Sequence, residues 1–367
     1  MALWYQYGVR SIFGIRKGYR GFYSEAEPPI TLTPNDVSSI HTDGGTVLGS
    51  SRGGFDAARI TAGIKRTGIN MVFVIGGDGT HRGALALSKA LREAGVSCAV
   101  AGVLKTIDKD IPLVDRTFGF ETAIEHARHA ITCAHTEATS ARNGVGIVKL
   151  MGRNAGFIAL YASLASRDVN ACLIPEVPFT LEALNRWLDT RLEQKGHALI
   201  VVAEGCAPAD AVEQGFVSSG SEPERDASGN VKLPDVGEMV KSSVARFFKS
   251  EYPDRDVNVK YIDPSYIIRS APANASDSVL CAELAFAAVH GAMGGYTEFT
   301  VGTVDNVMAW IPISEVATKP PSRVDPEGSY YARLVLSTGQ PDFSGAAPGE
   351  AAREAYSSVA ASSSWHA

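Results

Sequence analysis

Residues 71–112 read "MVFVIGGDGTHRGALALSKALREAGVSCAVAGVLKTIDKDIP". Met71–Ile75 is a short, branched, apolar run, the pattern of a strand buried on both faces of a parallel sheet. Ala84, Leu87 and Leu91 then recur at helical spacing, and Gly95 can close that helix. Residues 98–104, "CAVAGVL", form the next strand. Strand, loop, helix, strand in this order gives parallel neighbours joined by a right-handed crossover. The loops 76–80 and 105–110 therefore leave the carboxyl ends of adjacent strands, where open α/β sheets bind ligands.

The alternation continues outward. Phe120, Ala123, Ile124, Ala127 and Ile131 share one helical face. Residues 144–150 read as a strand and 155–166 as a helix apolar enough to be mostly buried. "ACLIPEV" (171–177), a helix over about 181–194 and "HALIVVAEG" (197–205) extend the pattern. A helix near 236–250, a strand near 256–262, a buried helix within 276–295 ended by glycine and a hairpin turned at Asp305-Asn306 complete it. Residues 207–230 are polar and unperiodic, a surface loop or insertion, and the Ala/Ser/Gly-rich tail from about 343 has little to bury and is expected to be disordered. The repetition predicts an α/β fold with helices on both sheet faces.

A length of 367 residues suits two domains with appendages. A net charge of −6 argues against a generic nucleic-acid binder or a polybasic membrane anchor. No stretch approaches the roughly 18 apolar residues that span a bilayer. The first 23 residues lack the pattern of a secretory signal and, with their aromatics and glycines, fit a folded segment. Cys98, Cys133, Cys172, Cys206 and Cys281 lie far apart without a C-x-x-C pair, so they read as small buried hydrophobes in a reducing compartment. The eight histidines show no metal-ligand spacing.

Asp78 sets the chemical question. Glycines after a strand usually cradle phosphate with backbone N–H groups, yet a carboxylate repels an anion about 4 Å away by roughly 4 kcal/mol at an effective dielectric near 20. Neither standard glycine loop fits: no Lys-Ser or Lys-Thr follows as a Walker A loop needs, and a G-x-G-x-x-G would require glycine where Arg82 stands. A loop that binds phosphate together with a divalent cation resolves the conflict, because Mg²⁺ bridges phosphate oxygens and prefers hard oxygen ligands. In that reading Asp78 faces the metal, Gly77 and Gly79 admit close backbone approach and Thr80 opens the helix; the alternative makes Asp78 a turn residue or helix cap. The next loop carries Asp108 and Asp110 with Lys105 just before them. One carboxylate can take a proton from an attacking hydroxyl while the other serves the metal, which is what kinase chemistry requires.

At these residues the sequence resembles the 6-phosphofructokinase family, particularly its plant-type ATP-dependent branch. The resemblance runs from about residue 5 to 315 and rests on an ordered set: "GYRGFY", "GGTVLGSSRGGFD", "GGDGTHRGA", "KTIDKDIPLVDRTFGFETA", "VKLMGRNAGFIALYASLASRDVN", "VVAEG", "YIDPSYIIRSAPANASD" and "VHGAMGGYTEFTVG". "GGDGT" alone is weak, being similar to loops of NAD and lipid kinases. The resemblance implies two similar three-layer α/β domains with mostly parallel sheets and an active site in the cleft between them. It divides the chain into 1–135 with 268–318 for the nucleotide, 136–267 for the sugar phosphate, and a C-terminal extension over 319–367.

The resemblance also implies transfer of a phosphoryl group from ATP–Mg²⁺ to the C1 hydroxyl of fructose 6-phosphate. By the family's pattern Asp108 is the base, Asp78 the magnesium-associated carboxylate and Asp110 its helper. Arg52, Gly53, Gly77, Asp78, Gly79 and Thr80 match nucleotide-binding positions. Thr106, Ile107 and Asp108 face the sugar, with Met151, Gly152 and Arg153; Glu204 matches the acid that holds sugar hydroxyls. Tyr266, Ile267, Ile268 and Arg269 match the stretch on the sugar phosphate. Arg269 can fork onto two phosphate oxygens and Arg153 can meet charge developing on the transferring group. Gly79, where pyrophosphate-using relatives carry aspartate, favours ATP, and its pairing with Lys105 marks the plant-type branch.

Further implications are a cytosolic homo-oligomer, taken as an allosteric homotetramer, with Lys260 a candidate contact across a subunit boundary; a plastid location is the alternative. Three departures from the family pattern stand out. The chain starts after an opening strand and glycine loop of the kind "GGLCPGLN", whose loss is expected to open a sheet edge and weaken the nucleotide site. Lys109 replaces an asparagine, and "MGRNAGF" replaces "MGRYSGF". The competing readings are therefore a catalytically impaired phosphofructokinase-like subunit and a pyrophosphate-dependent enzyme.

Overall fold

A computed structural model describes residues 1–51, 53–217 and 233–344. In chain order it begins with α1 (Ala2–Tyr5), β1 (Phe13–Gly14) and β2 (Ile30–Thr31), a small antiparallel pair. Then come α2 (Ala57–Thr67), β3 (Met71–Gly76), α3 (Asp78–Glu93) and β4 (Ala99–Leu104). The middle of the chain supplies α4 (Phe120–Ser140), β5 (Gly144–Leu150), α5 (Phe157–Ser166), β6 (Ala171–Leu173), α6 (Leu181–Lys195) and β7 (His197–Ala203). It continues through α7 (Val236–Glu251), β8 (Asn258–Ile262) and α8 (Ser265–Arg269). The last stretch is α9 (Ala275–Met293), β9 (Phe299–Val304), β10 (Val307–Pro312), α10 (Ile313–Ala317) and α11 (Ser329–Thr338).

The chain folds as two compact units. One comprises Met1–Thr122 and Arg269–Pro321; the other holds the described residues from Ala123 to Ile268 and from Ser322 onward. In the first unit the sheet runs β10-β9-β4-β3, parallel except for the β9–β10 hairpin, which turns at Asp305-Asn306 with both residues at positive φ. Successive residues of β4 face opposite sides, as a strand requires. Val100 joins Ile60 and Ile64 of α2 and Leu87 and Leu91 of α3 on one face. Ala101 and Val103 join Leu280, Leu284 and Ala288 of α9 on the other. Each large aliphatic side chain so buried contributes about 1.5–3 kcal/mol, and the result is three layers.

In the second unit β6-β7-β5-β8 are all parallel, with β5 and β7 inside and almost wholly buried. Helix caps fix the entries: Thr180 accepts from Ala183 N at 3.1 Å to start α6, and Asp235 accepts from Gly237 N and Glu238 N at 3.1 and 3.2 Å to start α7. The C-terminal segment adds to this unit. The Gln340 side chain accepts from Cys172 N at 2.7 Å and donates to Cys172 O at 3.2 Å, so an amide side chain caps the β6 edge as a neighbouring strand would.

Several expectations need correction. Helix α3 begins at Asp78 rather than Thr80, because Gly77 already takes the N-cap position. The apolar run within 276–295 is not buried all round: α9 buries a stripe through Asp277, Leu280, Leu284, Ala288, Gly291 and Ala292, while Val279 and Phe286 are exposed. Only Cys172 and Cys206 are buried; Cys98 and Cys281 are partly exposed and Cys133 is exposed, all with free thiols. "ACLIPEV" contributes a strand only through Leu173. Residues 207–217 contain no helix or strand, in keeping with the loop expected there, whereas 218–230 and the tail from 345 lie outside the described residues. Among the described residues no helix is long and apolar enough to cross a membrane.

Candidate active site

The first-unit loops start from one hydrogen-bonded pair. β3 and β4 align Gly76 with Leu104, and Lys105 N donates to Gly76 O at 2.9 Å just past the strand ends. Residues 77–80 and 105–110 therefore leave side by side, as the sequence predicts. Asp78 is exposed at the first position of α3, with Gly79 exposed beside it and Thr80 half-buried. Gly77, the N-cap, offers no side-chain acceptor to the first turn, which leaves that helix end with the donors and positive dipole end that attract an anion.

Two side chains given no role in the sequence reading hold this turn. Tyr19 donates its hydroxyl to Thr80 O at 2.7 Å, and its ring lies against Gly83 so closely that a Cβ there would sit 2.9 Å from it. His81 is wholly buried, with Nδ1 3.2 Å from Gly77 O and Nε2 3.2 Å from Thr300 Oγ1. A carbonyl can only accept, so Nδ1 carries the proton and Nε2 accepts from Thr300. Burial lowers the His81 pKa, more than the Gly77 bond raises it, and keeps the ring neutral. The signal was available: an uncharged partner is needed for a histidine on the buried face of α3.

In the neighbouring loop Thr106 organises the acids. Its hydroxyl donates to Asp110 Oδ1 at 3.1 Å and accepts from Asp108 N at 3.2 Å. Asp108, Asp110, Thr106 and Ile107 are all half-buried, and Lys105 is exposed. Lys109 adopts the left-handed region (φ 56°) and places Nζ 5.5 Å from the centre of the Phe120 ring. Carboxylates are hard oxygen donors, and Mg²⁺ commonly takes one or two of them and completes its shell with phosphates and water. Among the described residues no cluster of three or more His, Cys, Asp or Glu could hold a metal alone. Asp78 with an acid of the 108–110 loop fits the former kind of site. Of the other residues expected from the sequence to meet the nucleotide, Gly53 is exposed with φ 72°, and Arg52 lies outside the described residues.

The second unit presents its residues at the corresponding strand ends. Met151, Gly152 and Arg153 follow β5, and Glu204 follows β7, its N–H donating to Leu150 O at 2.8 Å. Met151 is buried, so its side chain anchors the turn, while Arg153 and Glu204 are half-buried. Lys260 is exposed on β8. Within α8, Tyr266 and Ile267 are exposed and Ile268 is buried as the anchor of that short helix; its last residue, Arg269, also exposed, is the first of the returning segment of the other unit.

Sequence reasoning passed over Lys149, although a lysine inside the apolar strand "GVGIVKL" is a signal. Its ammonium lies 3.1 Å from Asp235 Oδ2 and 2.8 Å from Asp263 Oδ2. Burial works against the charge, but hydrogen bonds to Asp263 and Asp235 outweigh it and raise the pKa.

Comparison with known proteins gives the family. A family model described as "Phosphofructokinase" matches residues 2–292. The chain belongs to the phosphofructokinase family. It is 48% identical over 342 residues to "ATP-dependent 6-phosphofructokinase 1" of Arabidopsis thaliana, covering 92% of this chain and 70% of that one. "ATP-dependent 6-phosphofructokinase 4, chloroplastic" of the same plant is 49% identical over 340 residues, covering 92% of this chain and 63% of its own. Among solved structures, a pyrophosphate-dependent phosphofructokinase from Marinobacter aquaeolei superposes with a TM-score of 0.71 at 20% identity, covering 89% of this chain and 82% of that one. Phosphofructokinase from Saccharomyces cerevisiae gives 0.65 at 20% identity over 94% of this chain and 45% of its own. At that identity the structures speak for the phosphofructokinase fold alone.

Proposed function

We propose that the chain is an ATP-dependent 6-phosphofructokinase, transferring the γ-phosphoryl group of ATP to the C1 hydroxyl of fructose 6-phosphate. The observation that carries this reading is the near-half identity, over nine-tenths of the chain, to a relative named for that activity. The paired acidic loops at the ends of β3 and β4 supply chemistry that agrees with it.

In this reading Asp108 accepts the proton of the C1 hydroxyl as its oxygen attacks the γ-phosphorus. The bond to the β–γ bridging oxygen breaks, and ADP leaves with those electrons. Thr106 holds the backbone of Asp108 and the carboxylate of Asp110 at once, so one hydroxyl fixes the spacing of both acids. The start of α3 receives donor phosphates on Gly77, Gly79 and Thr80, a geometry maintained by Tyr19 and His81. Arg153 offsets charge on the transferring group, Glu204 accepts from sugar hydroxyls, and Arg269 with Tyr266 takes the sugar phosphate. Asp78 and Asp110 would hold Mg²⁺, which when bound neutralises donor phosphate charge. Gly79 leaves room where a bulkier acidic side chain would disfavour the adenine nucleotide, so ATP rather than pyrophosphate is the donor.

The test is a coupled assay of fructose 1,6-bisphosphate formation with each donor. Turnover with ATP and none with pyrophosphate is expected. Turnover with pyrophosphate alone, or sugar-phosphate binding without turnover from either donor, would overturn the reading. The reading also makes the enzyme a cytosolic homo-oligomer; a plastid-localised fluorescent fusion, or a monomer by light scattering, would contradict those points.

A further inference from the structure

The Lys149 cluster ties three elements of the second unit. Lys149 lies in β5 two residues before Met151. One of its carboxylate partners, Asp235, caps α7 through Oδ1 and also accepts from the Tyr261 hydroxyl at 3.0 Å. The other, Asp263, uses Oδ1 to accept from both Ser265 N at 3.1 Å and Ser265 Oγ at 2.5 Å, and so fixes the first residue of α8. The two aspartates keep their Oδ2 atoms for the same ammonium. The Lys149 side chain is only 13% exposed, against 44% and 34% for its partners, so the cation is the inner member and solvent cannot readily replace it.

That arrangement has a directional consequence. α8 spans five residues, too few for a helix to hold its own shape in water. Buried Ile268 anchors it at one point, and the Asp263–Ser265 bonds fix its start. Two carboxylates within reach of one ammonium face each other once it is gone, and like charges then push Asp263, and α8 with it, away from the α7 cap.

We infer that Lys149 is a positioning residue for sugar-phosphate binding, acting through Asp263 and Ser265 to set the start of α8, and with it Tyr266, relative to the end of β5. Lys149 itself contacts no substrate. The inference rests on the proposed role of α8.

Steady-state kinetics and calorimetry on the full chain test it. Lys149→Met should raise KM for fructose 6-phosphate, and its calorimetric Kd, about tenfold, the usual scale for losing a hydrogen bond to a charged group. KM for ATP and kcat should stay within about twofold of the parent on the same reasoning. Lys149→Arg should restore most of the loss by keeping the cation. Lys149→Met combined with Asp263→Asn should be no worse than Lys149→Met alone, because both act on one link. Unchanged sugar-phosphate affinity in Lys149→Met, or parallel losses in both substrates that Lys149→Arg fails to rescue, would overturn the inference. Should Lys149→Met not fold, Asp263→Asn and Lys149→Arg carry the same readouts. A parent chain that binds fructose 6-phosphate but never phosphorylates it would refute the proposed function, while the calorimetric comparison would still decide the role of Lys149.

Discussion

Gly79, in the first turn of α3 just past β3, and Gly205, in the turn just past β7, each follow a strand of their own unit, but a Cβ added to them meets different surroundings. At Gly79 its nearest neighbour is the tip of Arg82 at 4.0 Å, and φ is ordinary. At Gly205 it would lie 2.0 Å from the backbone oxygen of Arg153. Next to it, Gly152 needs φ 128°. Glycine in the second unit is thus required by the fold, because the turns after β5 and β7 press together and Gly205 N donates to Gly152 O at 3.0 Å. Among the described residues nothing comes nearer than the tip of Arg82 to a Cβ at Gly79, so its lack of a side chain bears on whatever approaches the start of α3. The two units use one residue type for opposite ends: one to lock a turn in place, the other, on the proposed function, to leave an anion's path open.

The contrast breaks most visibly at Gly205→Ala. Overpacking against backbone, which cannot rotate away, should cost about 3 kcal/mol, read as a fall in denaturation midpoint at constant m-value. A midpoint equal to the parent's would show that the β5 and β7 turns separate freely. Gly79→Asp sharpens the comparison from the other side. The side chain fits without displacement, so the melting temperature should hold, while the added charge raises KM for ATP by about tenfold, well within the roughly 4 kcal/mol limit for close like charges. A large fall in stability without a change in KM would reverse the assignment. The smallest effect is expected at Lys109→Asn. Lys109 holds φ 56°, a region that asparagine tolerates better than lysine, so the replacement should stabilise by about 0.5–1 kcal/mol. Chemical denaturation measures it, and a destabilised variant would mean that the Phe120 contact outweighs the backbone strain.

Much of this fold is legible because its elements are periodic. Residues 144–150 form a strand with the bounds the sequence suggests, since an apolar parallel strand between turns has few alternatives. The start of α3 is less legible: a glycine in a first turn reads as loop until the N-cap geometry at Gly77 is seen. α9 misleads because alanines count as apolar in a sequence yet cover an exposed face at little cost, so hydrophobicity overstates its burial. The acidic residues of the candidate site are legible individually, and their adjacency follows from the strand order. Its supports are not. Tyr19, His81 and Lys149 find their partners on distant segments, and no local spacing pairs Lys149 with a helix cap and a residue beyond another strand.

The measurement that bears most directly on the account is kcat of Asp108→Asn with ATP and fructose 6-phosphate, taken alongside calorimetric affinities for both. Amide for carboxylate keeps the size and the backbone bond to Thr106 while removing the proton acceptor. The account predicts a kcat lower by about 10²–10⁴-fold with both affinities near those of the parent. Turnover at the parental rate would contradict it and move the base elsewhere.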